Sequence, residues 1–155
     1  MKVFLAAVGR MALSIIFIFY GMQKVMNWQE TEQAITSALT NWMNWVPAPS
    51  GINLFAGKMI PYSFVLVVIA MLVELIGGLF IFFGYKPRFG AVILLLFLIP
   101  TTLLFHPFWF LQGDERDVQM AMFLKNLSIF GGLLGVLAFG TGSIPKKVSE
   151  PSTKA

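Results

Sequence analysis

Tyr62 to Phe83 reads YSFVLVVIAMLVELIGGLFIFF, and Glu74 is the single charged residue within it. The run is long enough to cross a hydrocarbon core as a helix. A lone carboxylate at that depth costs a few kcal/mol or more, so it must face a partner rather than lipid. Val3 to Met22 is a second such run with a solitary Arg10. Two further runs follow, Phe89 to Phe105 and Met120 to Phe139. The reading is an all-α membrane protein: a bundle of four transmembrane helices (spans about 3–22, 62–83, 89–105 and 120–139) filling residues 1–140.

Composition agrees. Of 155 residues, 57% are hydrophobic and 12% charged, and the mean hydropathy is +0.80, far from a soluble domain. The net charge of +4 is scattered along the chain, and the basic residues sit beside apolar runs, as orientation signals do. No basic stripe or motif points to nucleic acid. Cysteine is absent, which removes disulfides, thiol nucleophiles and thiolate metal sites. Lys2 followed by an apolar run resembles a signal peptide, but Arg10 interrupts it and no small-residue cleavage site follows Tyr20, so the segment reads as a retained span.

Loop charge sets the expected orientation. Gly84 to Arg88 holds Lys86 and Arg88, whereas Pro107 to Gln119 holds Asp114, Glu115 and Asp117 against Arg116. Basic loops stay in the cytoplasm, which places both termini inside an inner membrane. Residues 141–155, with Lys146, Lys147 and Pro151, read as a mobile cytoplasmic tail. Between Trp28 and Val46, the apolar residues Trp28, Ile35, Leu39, Trp42 and Val46 recur at helical spacing. That pattern predicts an amphipathic interfacial helix in the first extracytoplasmic loop, acting as an anchor or as a lid over the bundle. Pro100 predicts a kink or early end in the third span, with Thr101 and Thr102 near the freed backbone.

Helical periodicity points the intramembrane polar groups inward. Glu74 aligns with Ala70, Gly77 and Gly78; Arg10 with Ala6 and Ser14; Lys125 with Ser128, Gly132 and Gly135. Counted from the cytoplasmic span ends, Arg10 lies roughly 10 Å deep and Glu74 roughly 13 Å. A buried ion pair between Arg10 and Glu74 is therefore expected, fixing helix register or relaying protons. Nearer the outside, Tyr20, Lys24, His106, Lys125 and Asn126 form a second polar layer. It suits the head-group of an amphipathic molecule such as a quinone, with Lys125 and His106 donating to carbonyl oxygens. The alternative is that Lys24 and Lys125 snorkel to headgroups while His106 faces water. His106 is the only histidine, and neither a metal, a haem nor a flavin site is expected.

Taken in order, Arg10, FIFYGMQKVMNW (Phe17 to Trp28), VELIGGLFIFFGYKPRFGA (Val73 to Ala91), His106 to Trp109 and FLKNLSIFGGLLGVL (Phe123 to Leu137) resemble the DoxX family of small bacterial membrane proteins. The resemblance implies a four-span inner-membrane protein. It also implies a role as subunit or accessory protein of a quinone-coupled oxidoreductase with a redox enzyme as partner; the residues themselves show no self-sufficient active site, since no haem, flavin or iron-sulfur site is legible. Arg10, Glu74, His106, Lys125 and Asn126 occupy matching positions. A membrane scaffold or assembly factor, and a small-molecule or proton carrier, are the alternatives.

Overall fold

The computed structural model describes residues 1–141; apart from Thr141, the expected tail lies outside them. Six α-helices follow one another: α1 (Lys2–Met26), α2 (Trp28–Trp45), α3 (Gly51–Met59), α4 (Ser63–Phe83), α5 (Pro87–Phe105) and α6 (Gly113–Phe139). There is no strand among the described residues. Four segments are long and apolar enough to cross a membrane: Val3–Met26, Gly51–Phe83, Pro87–Phe110 and Gly113–Phe139.

The spans pack in the order α1, α4, α5, α6. Gly84 (φ +70°) and Lys86 (φ 44°), both left-handed, reverse the chain tightly between α4 and α5, and Pro87 opens α5 with a φ already suited to a helix. Glycine then brings the backbones together. A Cβ on Gly77 would meet Leu94 at 2.6 Å, one on Gly90 would meet the Gly77 carbonyl oxygen at 2.9 Å, and one on Gly78 would meet Ile18 at 2.9 Å. Around these contacts Phe17, Ile81, Ala91, Leu94, Leu133 and Val136 form the main core.

α2 matches the expected amphipathic helix in extent, but its apolar face is committed to protein. Ile35 and Leu39 are buried with Ala56 of α3 and Val67 of α4, and Leu104 and Phe105 of α5 pack against them. The helix thus caps one end of the bundle. Two expectations need correction. α6 begins at Gly113, so most of the supposed acidic loop is helical; Asp114 and Glu115 lie in its first turn, where they complement the helix dipole. α5 continues through Pro100 to Phe105, the end expected for the span, so the early end at Pro100 does not occur. The Thr101 hydroxyl donates to the Phe97 and Leu98 carbonyls, one turn back but not to the Leu96 carbonyl that proline deprives of its donor.

Candidate functional site

Register, not face, decides the fate of Glu74. It is buried on α4 in line with Val67, Ala70, Gly77 and Ile81. Its partner is Lys24, whose Nζ donates to Glu74 Oε2 at 2.7 Å. Lys24 also lies 5.7 Å from the Tyr20 ring centroid, within reach of its negative face. The expected Arg10–Glu74 pair does not form. Gly21 abuts Leu75, and Gly78 abuts Ile18, so antiparallel packing carries Arg10 down to Gly84, where a Cβ would meet its Nη2 at 3.2 Å. Gly84 is ten residues, about 15 Å, beyond Glu74. The two run ends are not level: α1 overshoots the end of α4, and counting inward from each end gives a false match. There Arg10 Nη1 donates to the Gly140 carbonyl at 3.3 Å.

The second polar layer divides. His106 Nδ1 lies 2.7 Å from Gln119 Oε1; with the amide oxygen accepting, Nδ1 carries the proton and Nε2 remains an acceptor. Asn126 Nδ2 donates to the hydroxyl of buried Thr102 at 3.0 Å, joining α6 to α5. Lys125 departs from expectation. It is exposed, and among the described residues its hydrogen-bond neighbour is the Met122 sulfur at 3.4 Å. The buried face of α6 runs through Leu133 and Val136. Of the glycines aligned with Lys125, Gly132 meets Leu13, whereas Gly135 has no neighbouring residue within 4 Å of where a Cβ would stand. Lys24, expected in this layer, belongs to the ion pair.

Between α2, the end of α5 and the start of α6 lies a half-open cavity of about 220 Å³. Ser37, Asn41 and Trp45 of α2 face Phe105 of α5 and Glu115 and Gln119 of α6 across it. Two contacts hold α2 beside it: Trp42 Nε1 donates to the Leu104 carbonyl at 3.1 Å, and Trp45 stacks on Phe110 with ring centroids 5.4 Å apart. Asn41, Trp45, Glu115 and Gln119 are not among the ligand residues expected from sequence. The available signal is spacing: Gln119 falls where a helix returning from the His106 turn would face it. Among the described residues no group of three His, Asp or Glu side chains is placed to hold a metal; the polar groups lining the cavity are the Asn41 and Gln119 amides, the Ser37 hydroxyl and the Glu115 carboxylate.

Spanning helices packed through glycine, with Glu74 turned inward onto Lys24, define a multi-pass membrane protein. The chain belongs to the DoxX family, whose model matches residues 5–107. That match covers Arg10, Tyr20, Lys24, Glu74 and His106 and stops before Lys125 and Asn126. The chain is 26% identical over 140 residues to the Escherichia coli inner membrane protein YphA, covering 90% of this chain and 86% of that one. It is 32% identical over 136 residues to the E. coli inner membrane protein YqjF, covering 88% and 84%. It is also 32% identical over 100 residues to the ER-derived vesicles protein ERV29 of Saccharomyces cerevisiae, covering 61% of this chain but 32% of that protein. No solved structure matches the chain.

Proposed function

We propose that the chain is an inner-membrane accessory subunit that holds the head-group of a quinone for a partner redox enzyme, with the α2 cap on the extracytoplasmic side. The observation that supports this reading is the cavity beneath α2. At about 220 Å³ it is smaller than pockets that enclose a whole drug-sized ligand, which suits a ring whose isoprenoid tail stays among the lipid chains. His106 occupies the Gln119 oxygen and leaves the Gln119 amide nitrogen as a donor. With Asn41 it supplies hydrogen bonds to the two carbonyl oxygens of a quinone, while Glu115 can accept from a quinol hydroxyl. Trp45 and Phe105 provide the apolar walls.

Purified protein titrated with a short-chain ubiquinone, read by tryptophan fluorescence, tests the proposal. Wild type is expected to bind saturably. Gln119→Leu and Asn41→Leu are each expected to bind about fivefold to tenfold more weakly, the range for one lost hydrogen bond. Lys125→Ala, outside the cavity, is expected to bind as wild type. Unchanged affinity in both cavity variants removes the site. A second reading, a non-catalytic membrane scaffold, draws support from the likeness to a yeast protein named for ER-derived vesicles and from exposed Trp109 and Phe110 at the capped end; it gains if wild type binds no quinone.

A further inference from the structure

The opposite end of the bundle gathers cations without counter-charges among the described residues. Arg10 of α1 donates to the Gly140 carbonyl at 3.3 Å. Arg88, in the first turn of α5, donates to the Ala138 carbonyl at 3.2 Å. A Cβ on Gly140 would lie 3.3 Å from Arg88 Nε, and one on Gly84 would lie 3.2 Å from Arg10 Nη2. Both guanidinium groups thus converge on the last turn of α6, above two glycines of positive φ. Lys86 stands two residues before Arg88 and is exposed.

Helix C-termini attract cations, and the α6 carbonyls explain one hydrogen bond from each arginine. They do not explain the rest. A guanidinium carries five N–H donors, and the Arg10 Nε is buried with no partner. Every described acidic residue lies elsewhere: Glu30 and Glu32 on α2, Glu74 on Lys24, and Asp114, Glu115 and Asp117 at the start of α6. The ion pairs found among the described residues are Lys24–Glu74 and Arg116–Asp117. Two converging arginines and a neighbouring lysine therefore hold charge that nothing described in the chain neutralises, at the rim of a bundle with lipid around it.

We infer that Arg10 and Arg88, floored by Gly84 and Gly140, form a binding site for a phosphate ester, the headgroup of an acidic phospholipid. Paired guanidinium forks match phosphate oxygens geometrically as well as electrically, and basic pockets between spans on the cytoplasmic side are where such headgroups lodge. The glycines matter because a methyl at either position would press on a guanidinium and turn it from the shared anion. The site lies at the far end from the α2 cavity and stands whether or not that cavity binds a quinone.

Native mass spectrometry of the full-length protein, titrated separately with phosphatidylglycerol and phosphatidylcholine, is the test. Wild type is expected to bind phosphatidylglycerol saturably and about tenfold more tightly, the scale of one charge-assisted contact. Arg10→Gln/Arg88→Gln is expected to lose that preference, and Lys125→Gln to keep it. Should the double variant not fold, Arg88→Gln carries the test, because Arg88 is exposed and gives up one hydrogen bond. Inorganic phosphate added as competitor separates the sources: displacement at comparable concentration assigns free phosphate to the same site, and no displacement assigns the lipid. Equal affinity for both lipids together with no phosphate binding overturns the inference, as does an undiminished preference in Arg88→Gln.

Discussion

Between α1, α4 and α5 the backbones touch, and at the α2 cap they are held apart by rings. In the first region glycine sets the spacing, since Gly77, Gly78 and Gly90 each lie closer to a neighbour than a Cβ would allow, and one ion pair joins buried Glu74 to half-buried Lys24. In the second, Trp42 meets Trp109 and Phe110 edge to face, and Trp45 stacks on Phe110, with a half-open cavity alongside Trp45. Lipid gives helices no hydrophobic reason to associate, so the first region needs close packing and complementary charge. The cap draws on amphipathic rings and side-chain hydrogen bonds, which hold a cover in place without filling the space under it.

The sharpest way to break this comparison is to unpair that charge. Glu74→Leu leaves the Lys24 ammonium between helices without a carboxylate, and losing one partner of a buried pair costs about 3 kcal/mol. Thermal unfolding in detergent is expected to fall further for this variant than for any single substitution at the glycine seam or in the cap. Lys24→Met/Glu74→Leu removes both charges and is expected to recover most of the loss, because the penalty lies in the orphan rather than in the missing attraction. If single and double variants fall equally, the pair does not organise the seam.

Glycine comes next. Gly90→Ala would drive a methyl onto the Gly77 carbonyl oxygen at 2.9 Å, and a backbone atom cannot rotate away as a side chain can. Parting α4 from α5 to accommodate it is expected to cost about 2 kcal/mol. Gly131→Ala is the control, since nothing lies within 4 Å of its Cβ position, and it is expected to unfold as wild type does. If Gly90→Ala lost no stability, close approach would not set the α4–α5 spacing, because alanine for a helical glycine with room for a methyl leaves stability unchanged or raises it by restricting the unfolded chain.

Those same glycines show what the sequence could and could not reveal. The spans were legible because hydropathy over about twenty residues is a strong signal. The inward face of α4 was legible too, since Ala70, Glu74, Gly77 and Gly78 recur at helical spacing and all are buried. Register was not. Arg10 and Lys24 lie fourteen residues apart, close to four whole turns, so they occupy one face of α1, and periodicity alone cannot choose which of them meets Glu74. The choice rests on Gly21 fitting against Leu75 and Gly78 against Ile18, a match between two helices that neither sequence shows alone. The α6 face failed for the opposite reason. Ser128, Gly132 and Gly135 suggested a seam with Lys125, yet the packed face carries Leu133 and Val136, and Lys125 is left outside.

The smallest effect belongs to the cap. Leu104 lies in the last turn of α5, where carbonyls have no helical donor ahead of them, and the Trp42 indole fills that vacancy at 3.1 Å. Trp42→Phe keeps an aromatic ring against Trp109 and Phe110 but removes the donor, at a cost of about 1 kcal/mol. Global unfolding is expected to shift by a few degrees at most, since the glycine seam is untouched. The local signature is more telling: amide exchange along α2 is expected to quicken while α4 and α5 keep their protection, as a cover loosened independently of its bundle requires. If protection fell together in α2 and α4, cap and seam would be one cooperative unit, and a ligand could not enter beneath α2 without disturbing the Lys24–Glu74 pair.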